Sequence, residues 1–339
     1  MTNLSELTTL HVGGPARRVI RATSEAELIS AVKGADESGT PLLIIGRGSN
    51  LLVSDAGFNG TVIVVETAGN SYEIDACSGG MLQVAAGVDW DDFVAFTLEK
   101  DLANLESLSG IPGTVGAAPI QNIGAYGHEV GEVIARVRTY DRVEKALRTF
   151  TADQCKFSYR SSLFKESPDR YLILDVTFQL RRGENSLPIK YKELAAALGV
   201  ALEARVPTSE VRKAVLALRA KKGMLYNEVI QNWSAGSFFE NPIVSACEAE
   251  GLPEDAPRWP QADGSIKLSA AWLMERSGVI KGESFNGAKI SSAHVLALTN
   301  SGDATAADIV DLARSAQARV KEKFEITLQP EVRFVGVEL

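Results

Sequence analysis

Cysteine and histidine are both scarce, at three each in 339 residues. Cys77, Cys155 and Cys247 lie far apart with no CxxC spacing. That pattern excludes a disulfide framework and a cysteine-based zinc site, and three small buried or half-buried thiols are expected. No metal site is indicated. Positive charge is in deficit, with 35 Lys plus Arg against 43 Asp plus Glu and a net charge of -8. A surface of that sign repels a nucleic-acid backbone, so no nucleic-acid partner is expected. No stretch approaches the roughly 18 apolar residues that would span a bilayer, and no basic n-region with an apolar core opens the chain. A cytoplasmic protein without a membrane partner is expected. No period of 20 to 50 residues recurs, which sets aside solenoids and propellers.

What is present is ordinary globular material: 45% hydrophobic and 23% charged residues exclude whole-chain disorder. At about 150 residues per domain, the length suggests two or three domains. The sequence leaves the oligomeric state open, and a monomer is compatible with it. Ser24 with Glu27 reads as a capping box opening a helix to about Lys33, followed by the strand PLLIIG. Further apolar runs at 51–53 and 62–65 suggest a meander. Asp89 is placed to cap a helix carrying Trp90, Phe93, Val94 and Leu98. Alternation over 172–180 predicts a strand with one wet face, and the polar segment 181–188 a connection between domains. Thr208 or Ser209 opens a helix with Val211, Ala214, Val215 and Leu218 on one face; others are predicted at about 269–277 and along Ile309, Leu312, Ala313, Ala316 and Val320. TLQPEVRFVG reads as a final strand, and the order of elements as α+β or mixed α/β.

Five features could carry chemistry. LLIIGRGSNLL runs a strand into G-x-G-x-x, but Leu51 stands where a dinucleotide fingerprint has its third glycine, and a strand follows where a helix is needed. A phosphate cradle and a bare structural turn both remain open. Segment 109–131 holds Gly110, Gly113, Gly116, Gly124, Gly127 and Gly131, with Pro112 and Pro119 fixing the backbone. So much missing bulk favours a flat ligand lying against main chain. Arg160 in KFSYRSSLFK reads equally as an ion-pairing or a catalytic residue. Ser237 in SAGSFFENP lacks the G-x-S-x-G elbow, and His11, His128 and His294 show no triad pattern, which disfavours serine hydrolysis. A turn hydroxyl bonded to nearby backbone is its bland alternative. Glu331 and Arg333, two apart on a strand, share a face and form either a solvated ion pair or a pair aimed into a cleft.

Taken jointly, IIGRGSN, GIPGTVGAAPIQNIGAYG, YRSSLF, SAGSFFENP, SAAWLMERSG, GAKIS and QPEVRF follow the order and spacing of the UDP-N-acetylenolpyruvoylglucosamine reductases, a family this chain resembles from about Thr9 to Val335. The resemblance implies an α+β fold: an FAD-binding region of the vanillyl-alcohol-oxidase (PCMH) type over 1–182, its two subdomains meeting near 66–70. A connection at 183–222 with a substrate-closing loop follows, then a substrate-binding α+β domain at 223–339 whose last strand returns to the flavin site. It implies bound FAD, NADPH as hydride donor, a UDP-sugar substrate, and a role in peptidoglycan precursor synthesis. By analogy Gly46, Gly48, Ser49 and Asn50 cradle the FAD diphosphate, and Gly113, Gly116, Ile123 and Gly124 line the flavin. Arg219 and Arg333 are further cofactor contacts. Ser237 matches the proton donor, and Arg160 with Glu331 the pair that polarises the substrate carboxylate. Tyr191 matches the tyrosine that closes over the substrate diphosphate in one branch of the family. Lys222, Asn241, Tyr126 and His294 match substrate contacts. Glu240 departs from an expected lysine, Trp233 and Ser234 precede AGSFF, and KKGMLYNEVIQNW is longer than the pattern. A sugar-nucleotide-binding module with a vestigial flavin site and a flavin oxidase are the competing readings.

Overall fold

The computed structural model describes residues 2–75, 79–226 and 233–339. Cys77 and the part of KKGMLYNEVIQNW at 227–232 lie outside the described residues. The chain divides into two compact units, one of residues 17–47 and 59–221, the other of residues 1–16, 48–58 and 222–339. The short segment 48–58 is thus interleaved by contact with the C-terminal third rather than with its sequence neighbours.

In the first unit Ser24 accepts the Glu27 amide and caps the helix Glu25–Glu37, which runs past Lys33 and buries Leu28, Val32 and Ala35. The Glu27 carboxylate accepts from the Thr23 amide and hydroxyl, with Ser24 a weaker partner. The strand Leu42–Ile45 pairs in parallel with Phe58–Val65, which lies between it and Ala16–Ala22. The expected meander is therefore wrong: a meander joins antiparallel neighbours, whereas the intervening strand Leu51–Val53 leaves to pair, also in parallel, with Arg333–Val335 in the second unit. The larger sheet is antiparallel, in the order Ala146–Thr151, Ile134–Asp141, Tyr171–Arg182, Gly79–Ala85, Asn70–Asp75. Its middle strand meets a second expectation in part: Val176, Phe178 and Leu180 are buried while Thr177 is half-buried and Gln179 exposed, but the alternation fails before them. Residues 172–176 are all buried, Asp175 included at 5% exposure, because a central strand is covered on both faces. The Asp175 carboxylate survives burial by accepting from Arg138 Nε (2.5 Å) and Gln83 Nε2 (2.9 Å). Trp90, on the Asp89-capped helix Trp90–Glu99, and Phe93 pack on Phe178 of that strand. Residues 181–188 lie inside this unit, where Arg181 and Arg182 still pair with Ala103 and Leu102. The helix Thr208–Lys221 buries Val211 and Val215 against Ile189, Leu194 and Ala195.

In the second unit the helix Ala306–Phe324 turns Ile309, Leu312, Ala313, Ala316 and Val320 inward. Its first amides are received by Asp55, with Ala306 N–H at 2.8 Å and Ala307 N–H at 3.1 Å, so the 48–58 segment is tied to it by a carboxylate at the positive end of a helix. The helix Ala270–Arg276 starts at Ser269 and ends before Gly278, at φ +89°. The final strand is shorter than expected: it begins at Arg333, and Glu331 sits on the bend before it. Cys155 is buried, its thiol pushed up to about 12 by desolvation, but Cys247 is exposed on the short helix Ala246–Glu250, contrary to expectation. Among the described residues no helix is long and apolar enough to cross a membrane.

Candidate active site

The first unit carries the glycine-rich run. A Cβ on Gly116 would lie 2.5 Å from that of Ala86, one on Gly124 2.9 Å from the His128 carbonyl oxygen, and one on Gly46 2.6 Å from Thr114 Oγ1. The missing side chains thus let the chain pack closely, on backbone at Gly124 and on the side chains of Ala86 and Thr114 at Gly116 and Gly46. Gly113, at φ +143°, accepts the Trp90 amide, and Ile123 donates its amide to the Ala118 carbonyl and accepts that of Val130. Gly124–Ala125 pairs with His128–Glu129 around Tyr126 (φ +51°) and Gly127 (φ +86°), the two positive φ values of a tight hairpin.

Gly110 is held from both sides. Its amide donates to Asp91 Oδ1 (2.6 Å) and its carbonyl accepts from Arg219 Nε (2.9 Å), while Arg212 grips the same Asp91 carboxylate through two nitrogens at 2.6 and 2.9 Å. Burial raises the Asp91 carboxyl, yet Arg212 and the Gly110 amide bring it below the usual aspartate range. Burial lowers the Arg219 guanidinium against the opposing pull of Tyr126 and Asp91. Sequence reasoning missed Asp91 and Arg212. They lie 121 residues apart, and each reads alone as a solvated helix charge.

Arg160 adopts φ +51°, and its Nη2 donates to the Gly124 carbonyl at 3.2 Å. The turn that carries it is closed by Ser158 and Ser161, which exchange N–H···O bonds of 3.1 Å. Tyr126 and Tyr191 meet edge to face, with centroids 5.7 Å apart. Burial pushes the Tyr126 hydroxyl up to about 12 and raises that of Tyr191, so both are neutral donors at physiological pH. Tyr191 remains 40% exposed, immediately before the helix Lys192–Leu198.

The second unit carries the other candidates. Gly48 is buried at φ +61°, where a Cβ would lie 2.0 Å from the Leu7 carbonyl oxygen, and its own carbonyl accepts the Thr9 amide at 3.2 Å. Among the described residues neither the Gly48 nor the Ser49 amide donates to a backbone carbonyl. Asn50 receives the Arg333 amide on its carbonyl and donates from Nδ2 to the Glu331 carbonyl, both at 3.0 Å. The Glu331 amide in turn donates to the Phe238 carbonyl at 2.8 Å. One backbone net therefore joins Asn50, Glu331, Arg333 and the residue after Ser237.

Ser237 lies between Gly236, at φ +76°, and the paired phenylalanines Phe238 and Phe239, each 1% exposed. The Phe238 amide is fixed on Leu296 (2.8 Å) and that of Glu240 on Gln329 (2.9 Å). The Ser237 hydroxyl is half-buried and bonds to none of the described residues, so the local-backbone alternative is not what forms. His294, whose carbonyl accepts the Ala297 amide, belongs to the same loop as Leu296. Asn241 Oδ1 accepts the Ala270 amide at 2.9 Å, anchoring SFFENP on a helix start. Lys222 lies in the turn after the helix Thr208–Lys221.

Residues 16–149 match the FAD binding domain model, and residues 228–335 the model of the UDP-N-acetylenolpyruvoylglucosamine reductase C-terminal domain. The UDP-N-acetylenolpyruvoylglucosamine reductase of Cutibacterium acnes is 53% identical over 337 residues, 98% of this chain and 89% of the relative. This chain belongs to the UDP-N-acetylenolpyruvoylglucosamine reductase family. The family's member from Streptomyces avermitilis is 49% identical over 99% of this chain and 94% of its own. The crystal structure of the reductase from Thermus caldophilus shares 26% identity and superposes with a TM-score of 0.68, covering 98% of this chain and 97% of that one. The reductase fold expected from the sequence, an FAD-binding region followed by an α+β domain, is thereby borne out. The residues present also fit the cofactor: the consecutive amides of Gly48 and Ser49, committed to no backbone carbonyl among the described residues, are donors of the kind a diphosphate requires.

Proposed function

We propose that the chain is the NADPH-dependent reductase that converts UDP-N-acetyl-3-O-enolpyruvoylglucosamine to UDP-N-acetylmuramate for peptidoglycan synthesis. When bound, FAD supplies the two-electron chemistry, relaying a hydride from NADPH to the vinyl methylene carbon of the enolpyruvyl group. Gly46, Gly48, Ser49, Asn50 and Arg333 hold its diphosphate side, and Gly113, Gly116, Ile123, Gly124 and Arg219 its ring. As the methylene carbon becomes a methyl group, negative charge develops on the neighbouring carbon and its carboxylate. Arg160 stabilises that charge, since a fixed cation needs no reorganisation when the charge appears, and Glu331 is the hydrogen-bonding partner in polarising the carboxylate. Ser237 gives its Oγ proton to the carbanion-like carbon and recovers one from water. A hydroxyl is a weak acid, but that carbon is a strong enough base to take its proton when the donor is in place. Tyr191 and Tyr126, both neutral donors, bind the diphosphate and nucleotide, with Lys222, Asn241 and His294 on the same substrate. Substrate and reductant are charged metabolites of the cytoplasm, the compartment we propose.

The observation that carries the Ser237 role is a half-buried hydroxyl on a firmly anchored backbone that bonds to none of the described residues. Colour tests the whole reading. Purified protein should be yellow, bleach anaerobically with NADPH, and recolour when the enolpyruvyl nucleotide is added. A colourless protein that cannot take up FAD would leave a nucleotide-binding module, and recolouring by oxygen with indifference to the nucleotide would mean an oxidase.

A further inference from the structure

Arg160 is an arginine in the left-handed region, a strained conformation for a non-glycine residue that persists only where its surroundings over-determine it. The surroundings here are specific. Two residues before it, the Ser158 carbonyl accepts Asn122 Nδ2 at 3.0 Å; two residues after it, Ser162 Oγ donates to the Ile120 carbonyl at 2.5 Å. Both clamps reach the same stretch of the glycine-rich loop. Lys165 Nζ adds a bond to the Arg160 carbonyl at 2.7 Å, and the guanidinium itself returns to Gly124, two residues beyond Asn122.

Asn122 is the node. It is 1% exposed, sits at φ +47°, and makes three side-chain bonds: Oδ1 accepts the Gly131 amide (2.8 Å), while Nδ2 donates to Glu129 Oε2 (2.6 Å) and to Ser158. Its orientation is unambiguous, because the oxygen faces a donor and the nitrogen faces two acceptors. Gly131 leaves room for it, since a Cβ there would lie 2.8 Å from Asn122 Oδ1. A residue needed merely to fill space would not require an amide with both ends committed in opposite senses.

We infer that Asn122 is a positioning residue for Arg160, holding its turn against the glycine-rich loop so that the guanidinium stays where substrate charge develops. The inference rests on the role of Arg160 proposed above, and a double-mutant cycle separates the two. Asn122→Asp tolerates the same backbone angle and keeps the acceptor for Gly131, but turns an oxygen toward Glu129 and the Ser158 carbonyl. In the holoenzyme it should slow reoxidation of the flavin by enolpyruvyl nucleotide by on the order of 100-fold, as misplacement by about an ångström does. Flavin reduction by NADPH, the flavin spectrum and the binding of oxidised enzyme to the nucleotide should change about twofold or less. In an Arg160→Ala background the same substitution should cost nothing further, because two residues acting through one group are non-additive. Asn122→Gly, which also accepts the positive φ, should show the same non-additivity and serves if the aspartate variant does not fold. Additive losses, or equal slowing of both half-reactions, would overturn the inference. Wild-type reoxidation in Arg160→Ala alone would instead overturn the proposed role of Arg160.

Discussion

Arg160 and Ser237 are held in opposite ways. The arginine is bonded through its side chain, its own carbonyl and the residues two before and two after it, on a backbone that would relax if those bonds let go. The serine rides on an equally rigid backbone, with the next three residues pinned, yet its hydroxyl engages none of the described residues. The contrast fits the work proposed for each group. A cation that stabilises developing charge is effective to the extent that it does not move. A proton donor must be positioned but uncommitted, because every bond its proton makes in the ground state has to be given up before transfer.

That contrast is easiest to break at the serine. Ser237→Ala should slow reoxidation by substrate on the order of a thousandfold or more, while NADPH reduces the flavin at a near-normal rate. Stopped-flow traces of the two half-reactions decide it, and equal slowing would show the hydroxyl to be structural. At the arginine, Arg160→Lys keeps the charge but loses the planar fork and its reach to Gly124, and should cost about 100-fold in the same reoxidation step. A lysine enzyme as fast as wild type would mean that charge suffices without fixed geometry. Tyr191→Phe removes one neutral donor and should raise the substrate KM by roughly three- to tenfold, with less change in reduction by NADPH; an unchanged KM removes the tyrosine from the substrate. The smallest effect is expected at the brace beneath the loop. The Asp91 carboxyl lies below its unfolded value, so its contribution to stability is present above about pH 4 and is lost as pH falls through the lower folded pKa. Asp91→Asn should lower Tm by about 2–4 °C at neutral pH and flatten the acid side of the stability profile. Identical acid slopes for the two proteins would mean that Asp91 braces nothing.

Much of the candidate site is legible in the sequence because its motifs are local. GxGSN, the glycine-rich run, YRSS, AGSFF and PEVRF each carry their own turn chemistry, and the resemblance they support names the family that the comparisons show. The helices were legible for the same reason, with Ser24, Asp89 and Ser269 each accepting the amide three residues on. The failures were non-local. A strand reads the same whether its partner is adjacent or far along the chain, so the sequence suggests a meander for Leu51–Val53 although its neighbour is Arg333–Val335. The alternation at 172–180 predicts a wet face that holds at Thr177 and Gln179 but fails at Asp175, which looks exposed until Arg138 and Gln83 are beside it. Asn122 and Asp91 carried no signal alone, since an asparagine in a turn and an aspartate in a first helical turn are commonplace.

The sequence by itself determined most of the elements, the glycines that close turns and the motifs that carry the family resemblance, since these depend on side-chain type and short spacing. Tertiary structure decided that 48–58 joins the C-terminal third, that Glu331 hangs from Phe238 and Asn50, and that Arg160 is braced by Asn122. Each of these is a bond between residues distant in the chain. Its free energy outweighs the entropy of closing the loop only once the surrounding core has brought both ends together.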